Sequence, residues 1–205
     1  MALTNCYAAL DDLQRELNIS DSYSDIKLEA ALSAASRQID GYCGRFFYQD
    51  ATVEVRTYHP DDYSMLEVDD ISTTTGLIVK VDNDDDGTFE TTLTIATNFI
   101  LTPTNAEVSW PVQPYTGIRI VDSGVSSFPI HTSGRPSVQI TAKFGWPAVP
   151  DDVFKACLIQ AAQLYKSSDA VFGGLNFDTG IFRVRGPINP MAEALLERYC
   201  KGRVG

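Results

Sequence analysis

Phe144-Gly145-Trp146-Pro147-Ala148-Val149-Pro150-Asp151 is the stretch at which the chain changes architecture. Upstream, Val138, Ile140, Ala142 and Phe144 alternate with the period of a half-buried strand. The two prolines of the Trp-Pro-x-x-Pro turn then stop either a sheet ladder or a helix from spreading across it. Downstream, Asp151 and Asp152 set negative charge at the positive end of a helix. Phe154, Cys157, Leu158, Ala161, Leu164 and Tyr165 recur there at the spacing of one buried face, over residues 153–165.

The opposite transition, helix into strand, is written in AASRQIDGYCGRFF, residues 34–47. The two junctions bracket one insert: a helical part from residues 1–45 and 150–205, and a β part from 46–149. Leu10, Leu13 and Leu17 predict a short helix over 8–18, closed by a left-handed Asn18. Ser22 and Asp25 fit a capping box for a second helix, with Leu28, Leu32, Ala35, Ile39 and Tyr42 as its seam and Gly44 as its stop. Alanines at 30, 31, 34 and 35 permit close approach of the helix near Asp151, which carries Ala161 and Ala162. From Phe46 the period falls to two, and short strands are expected near 53–57, 65–68, 76–81, 88–96, 99–101, 118–121 and 136–144. That pattern fits a small antiparallel sandwich or barrel. The fold class is therefore α+β: a small antiparallel helix bundle from the two ends of the chain with an inserted β-sandwich or barrel-like domain. Beyond it, residues 181–186 read as a short strand or extended arm, and Asn189 caps a last helix with Pro190 in its first position.

At 205 residues the chain can bury a substantial core. Its net charge of −11 argues against general affinity for nucleic-acid phosphates, which needs a surplus of Lys and Arg. Cys6, Cys43, Cys157 and Cys200 are too widely spaced for a paired Cys-x-x-Cys zinc site, and are read as reduced packing residues of a protein made in a cytoplasm. The first residues show neither a secretion signal nor a membrane span.

Asp82, Asp84, Asp86 and Gly87 match positions one, three, five and six of a calcium loop. The match stops there: the twelfth position is Leu93, and strands rather than helices flank the segment. Glu90 is the one further carboxylate that could fold in, so Asp82, Asp84, Asp86 and Glu90 form the candidate cation set. The competing reading is a solvated acidic hairpin turn, since Asp, Asn and Gly are what such turns prefer. His59 and His131 lie in separate loops, are read as surface residues and have no identifiable nucleophile, elbow or phosphate-cradling loop to serve; no enzyme is expected. Trp110-Pro111 and Trp146-Pro147 are read as aromatic residues packed at strand ends. The tail concentrates Arg183, Arg185, Arg198, Lys201 and Arg203 beside the Leu195, Leu196 and Tyr199 stripe. On an acidic body this is either helix-dipole compensation or a surface complementary to an acidic partner.

The pair AASRQIDGYCGRFF and FGWPAVPDDVFKACLIQAAQLY, in this order, resembles the head-tail connector (adaptor) proteins of tailed bacteriophages, over residues 7–199. The resemblance implies a structural virion protein of the neck, at the head-tail junction, made in the bacterial host cytoplasm. It implies a dodecameric ring of this chain between the capsid portal and a tail-side stopper or tail-completion protein. It implies further that genome DNA passes through the lumen unread, that no cofactor is needed and that no membrane is involved. The carboxy-terminal segment would engage the portal, which casts Arg183, Arg185, Leu195, Leu196, Arg198, Tyr199, Lys201 and Arg203 as docking residues. The rival reading from another class is a β-sandwich module that binds calcium or a glycan, carried on a helical stalk.

Overall fold

The computed structural model describes residues 4–121, 127–172 and 188–201, and divides the chain into two compact units, Met1–Phe47 with Val149–Gly205, and Tyr48–Ala148. The class is α+β, with four α-helices and two antiparallel sheets among the described residues.

In the helical unit, α1 (Leu10–Leu17) is held at its start by the Asp12 carboxylate, which accepts the Ala9 N–H, and ends in a left-handed Asn18. Helix α2 (Asp25–Cys43) begins from Ser24 and not from the expected Ser22 capping box. The Asp25 carboxylate instead accepts the Gln14 amide at 2.7 Å, tying α2 to α1. Gly44 closes α2 at φ 65°, a conformation a side chain would strain. Helix α3 (Asp151–Phe172) packs along α2, and α1 touches both. The expected seam divides by side-chain size: Leu32, Ile39, Leu158 and Ala161 are buried, whereas the larger Tyr42, Phe154 and Tyr165 are only half-buried.

Several buried polar groups inside this unit are paired. Ser36 Oγ donates to the Leu32 carbonyl, accepts the Tyr7 N–H and lies 3.5 Å from Cys157 Sγ. Gln160 donates to Gln38 at 2.7 Å and its carbonyl receives the Asn189 N–H at 2.8 Å, which carries the interaction on to α4. Helix α4 (Pro190–Leu196) starts as its sequence predicts: Asn189 accepts the Met191 N–H at 2.9 Å, with Pro190 in the first turn. Ile188, Ala192, Leu196 and Tyr199 make its buried side.

Among the described residues the β unit holds seven strands: β1 (Glu54–Tyr58), β2 (Met65–Ile71), β3 (Ile78–Val81), β4 (Thr91–Leu93), β5 (Phe99–Thr102), β6 (Tyr115–Ile120) and β7 (Val138–Ala142). They form a four-stranded sheet ordered β1-β7-β3-β4 and a three-stranded sheet ordered β2-β6-β5. All pairings are antiparallel. The strands alternate as period-two sequence requires, and their inward residues share one core with Phe99, Ile118, Phe128, Ile140 and Phe144 at full burial. The sheets meet where Ile71 bridges Phe144, and Ser72 donates through both N–H and Oγ to the Lys143 carbonyl. They do not close on each other as a barrel: each sheet keeps two edge strands.

Candidate docking surfaces and the acidic turn

The acidic turn is built around one buried side chain. Asp82 follows the last residue of β3, and its own N–H donates to Ser137, at the start of β7. One oxygen of its carboxylate accepts the Asp84 and Asp85 N–H groups at 3.2 and 2.9 Å, and the other accepts the Gly87 N–H at 2.9 Å. Burial pushes the Asp82 carboxyl up, but these three N–H groups, with His131 nearby, outweigh it and leave the carboxyl below the usual carboxylate range. Asp85 and Gly87 take left-handed conformations at φ 64° and 91°, which Asp and Gly tolerate in turns. The turn brings one oxygen each of Asp82, Asp84, Asp86 and Glu90 within 4.8 Å of one another. Asp82 already serves as the acceptor that folds the turn, so a cation would have to recruit the exposed Asp84, Asp86 and Glu90.

The segment facing this turn corrects the reading of His131. It is buried, with Nδ1 3.2 Å from an Asp85 carboxylate oxygen and neither ring nitrogen in hydrogen-bond geometry. Ser133 Oγ donates to the same Asp85 carboxylate, and Arg135 donates to the Asp85 carbonyl. His131 thus belongs to a clasp that holds the turn from the side, invisible in a sequence where it sits 46 residues from Asp85. His59 is exposed, with Nδ1 3.1 Å from the Arg135 carbonyl.

The two tryptophans part company. Trp146 is buried in the β unit at 3% exposure, as expected, but Trp110 stands 89% exposed. The expectation that both pack at strand ends fails for Trp110 because Pro103 to Pro114 forms its own folded loop, with a 3-10 turn at Ala106–Val108 that the period-two pattern did not suggest.

At the carboxy-terminal end, the eight docking candidates fall into three groups. Arg183, Arg185 and Arg203 lie outside the described residues. Leu196 and Tyr199 are buried within the helical unit, the Tyr199 ring meeting Phe47 edge-on at 5.8 Å. Phe47 in turn meets Tyr7 edge-on at 5.7 Å, and its N–H donates to the Tyr7 hydroxyl, which donates to Asp40. Burial first, then the Asp40 carboxylate, push the Tyr7 phenol up and keep it a donor. Leu195 is half-buried, and Arg198 and Lys201, just beyond α4, are exposed. Arg198 is placed by Asp152 and the Tyr199 hydroxyl, each at 2.6 Å, and Tyr199 donates to Asp152 at 3.1 Å. Met191, in the first turn of α4, is 69% exposed and was not singled out by sequence. The Lys201 N–H donates to the Cys43 carbonyl at 3.0 Å, and the Cys43 and Cys200 sulfurs lie 3.5 Å apart as free thiols.

No family profile matches the sequence, and no curated protein matches it. Solved structures do. A chain in the neck of an empty GTA particle computed with C6 symmetry superposes at a TM-score of 0.57 and 21% identity, covering 100% of this chain and 94% of that one. A chain in the neck of the native GTA particle computed with C12 symmetry gives 0.56 and 20%, with the same coverage. A chain in the virion of the native gene transfer agent particle gives 0.53 and 20%. Across its whole length, then, this chain has the fold of chains found in the necks of gene transfer agent particles.

Proposed function

We propose that the chain is a structural subunit of the neck of a tailed-phage-like particle, a head-tail connector that assembles as a ring between portal and tail. The observation that carries this reading is the whole-chain likeness to neck chains, both units included. The symmetries of those necks, C6 and C12, favour a cyclic ring, with twelve copies as the number to test. The helices are read as a small antiparallel bundle that carries the β unit as an insert. Charge fits a conduit. Residues 48–148 hold 14 acidic against 5 basic side chains, so the β unit repels phosphate and lets DNA pass without adhering.

Portal docking is assigned to Met191 and Leu195 of α4 with Arg198 and Lys201 just after it, and to Arg183, Arg185 and Arg203. Leu196 and Tyr199 act from within by fixing the position of α4. A tail-side stopper or completion protein meets the opposite rim of the ring. No enzymatic role is proposed. Among the described residues, no helix is long and apolar enough to cross a membrane.

The test is electron microscopy of the purified chain mixed with the portal of its own particle. Rings capping the portal are expected, and Leu195→Asp with Arg198→Glu should abolish capping. Unchanging monomers that leave the portal bare would overturn the reading. Truncation before α4 is a poorer probe, because it uncovers the residues that α4 buries on α3.

A further inference from the structure

The β unit carries two unpartnered apolar surfaces. One is the outer face of the four-stranded sheet. Register sets Val55, Thr141 and Ile78 in one row and Thr57, Gln139, Lys80 and Thr92 in the next. Val55 is 60% exposed, Val53 and Ile78 each 45%. Val53 lies over Gly76, where an added Cβ would come within 2.9 Å of it, so the apolar patch is continuous. Lys80 and Lys143 fall on this face by strand alternation, and the strand residues paired across it include no carboxylate. In so acidic a unit that is a marked local reversal.

The other surface is the loop that springs from the three-stranded sheet after β5. Ala106 is buried, and its carbonyl accepts both the Ser109 hydroxyl at 2.8 Å and the Gln113 N–H at 3.1 Å. Ser109 Oγ also reaches the Pro111 carbonyl at 3.1 Å. This bracing holds Val108 and Trp110 outward at 82% and 89% exposure, a preorganised aromatic anchor of the kind that dominates binding energy. Glu107 sits beside them, and Glu67 lies in the row Glu67, Gly117, Thr102 from which the loop departs.

We infer that the Val108–Trp110 tip of one copy docks on the Val53, Val55 and Ile78 face of a second copy. Pairing tip with tip would oppose carboxylates, and pairing face with face would oppose Lys80 and Lys143. Only the tip-to-face contact joins apolar to apolar and Glu to Lys. It is a heterologous contact between two different surfaces of the same unit, which is the kind that closes a ring. The inference rests on the ring reading and names which surfaces meet.

The test blocks each surface separately in the full chain, with Trp110→Asp for the tip and Val55→Asp for the face. Both side chains are exposed, so both variants should keep the native circular dichroism. Sedimentation at raised protein concentration, in about 0.15 M salt where the screening length is about 8 Å, reads association. Iodide quenching reads the tip directly, since Trp146 is buried and Trp110 supplies the quenchable fluorescence. Self-association of the native chain with loss of Trp110 quenching is expected, and each variant alone should associate at least about 30-fold more weakly. An equal mixture of the two variants should regain a dimer and nothing larger, because it retains one intact tip and one intact face. Trp110→Asp associating as well as the native chain would overturn the contact while leaving the ring reading intact. Quenching that is indifferent to concentration in the native chain would overturn it too. The ring reading fails separately, by an absence of portal caps.

Discussion

Ile39 and Ile26 lie on the same helix, α2, and differ in almost nothing but burial: Ile39 is 0% exposed and Ile26 is 78% exposed. Ile39→Ala removes three carbons from the interior. At about 0.8 kcal/mol for each buried carbon, the transfer loss alone is about 2.4 kcal/mol. The space left in the packed interior adds a cavity cost, because the surrounding side chains relax only partly, and the total should fall within about 2–5 kcal/mol. Ile26→Ala deletes the same atoms from a position already in water and gains a few tenths of a kcal/mol of helix propensity, so it should be neutral or slightly stabilising. Helix propensity contributes at most a few tenths of a kcal/mol at either position, which makes the difference between the variants a reading of burial. The assay is urea unfolding followed at 222 nm, since the four α-helices belong to the helical unit. If Ile39→Ala lost no more stability than Ile26→Ala, the packing of α2 against α3 would be wrong. Leu158→Ala, buried on α3, should repeat the result from the other side of the seam.

Four further outcomes follow from the structure. The Asp82 carboxyl lies lower in the folded chain than in the unfolded one, so its stabilisation is present above the unfolded carboxylate range near pH 4 and is lost as pH falls through the folded value. Asp82→Asn should flatten that acid limb of a stability profile; an unchanged limb would discount the turn's three N–H contacts. Asp84→Ser with Asp86→Ser should shift stability by less than about 1 kcal/mol, with or without calcium; a calcium-dependent rise in Tm of the native chain, absent from this variant, would instead favour the cation-binding module. The isolated chain should be mainly monomeric at low salt, where the charge of −11 acts over about 30 Å at 0.01 M, and sedimentation against salt would reveal the opposite trend if another contact dominated. Diamide, by accepting two electrons and two protons from the thiols 3.5 Å apart, should link Cys43 to Cys200 within one chain, with peptide mapping to identify the pair; the reaction should be slow, because burial and Cys200 push the Cys43 thiol up.

Local rules made much of this chain legible. Gly44 ends α2 because glycine adopts the left-handed cap at no steric cost, and Asn189-Pro190 starts α4 because both residues satisfy the first turn by themselves. The two helix-strand transitions, near Gly44 and at the Trp-Pro-x-x-Pro turn, are local in the same sense. Asp82, Asp84, Asp86 and Glu90 converge because a short turn forces them together. The resemblance to neck connectors is likewise carried by short segments in order.

What only the tertiary structure decided depends on which residues distant segments bring close. Ser22 and Asp25 form a good capping box on paper, yet Gln14 from another helix takes the Asp25 carboxylate. The same reasoning buries His131 beside Asp85 and puts Leu196 and Tyr199 inside the unit, not on a docking stripe. Two tryptophans, each followed by proline, end at 3% and 89% exposure: the Trp146 N–H is tied to the Tyr48 carbonyl from far away in the sequence, whereas Trp110 rides a loop braced from within. Periodicity states which residues share a face, but whether that face meets another part of the chain or is left open is settled by long-range packing, and open faces are where a ring would find its contacts.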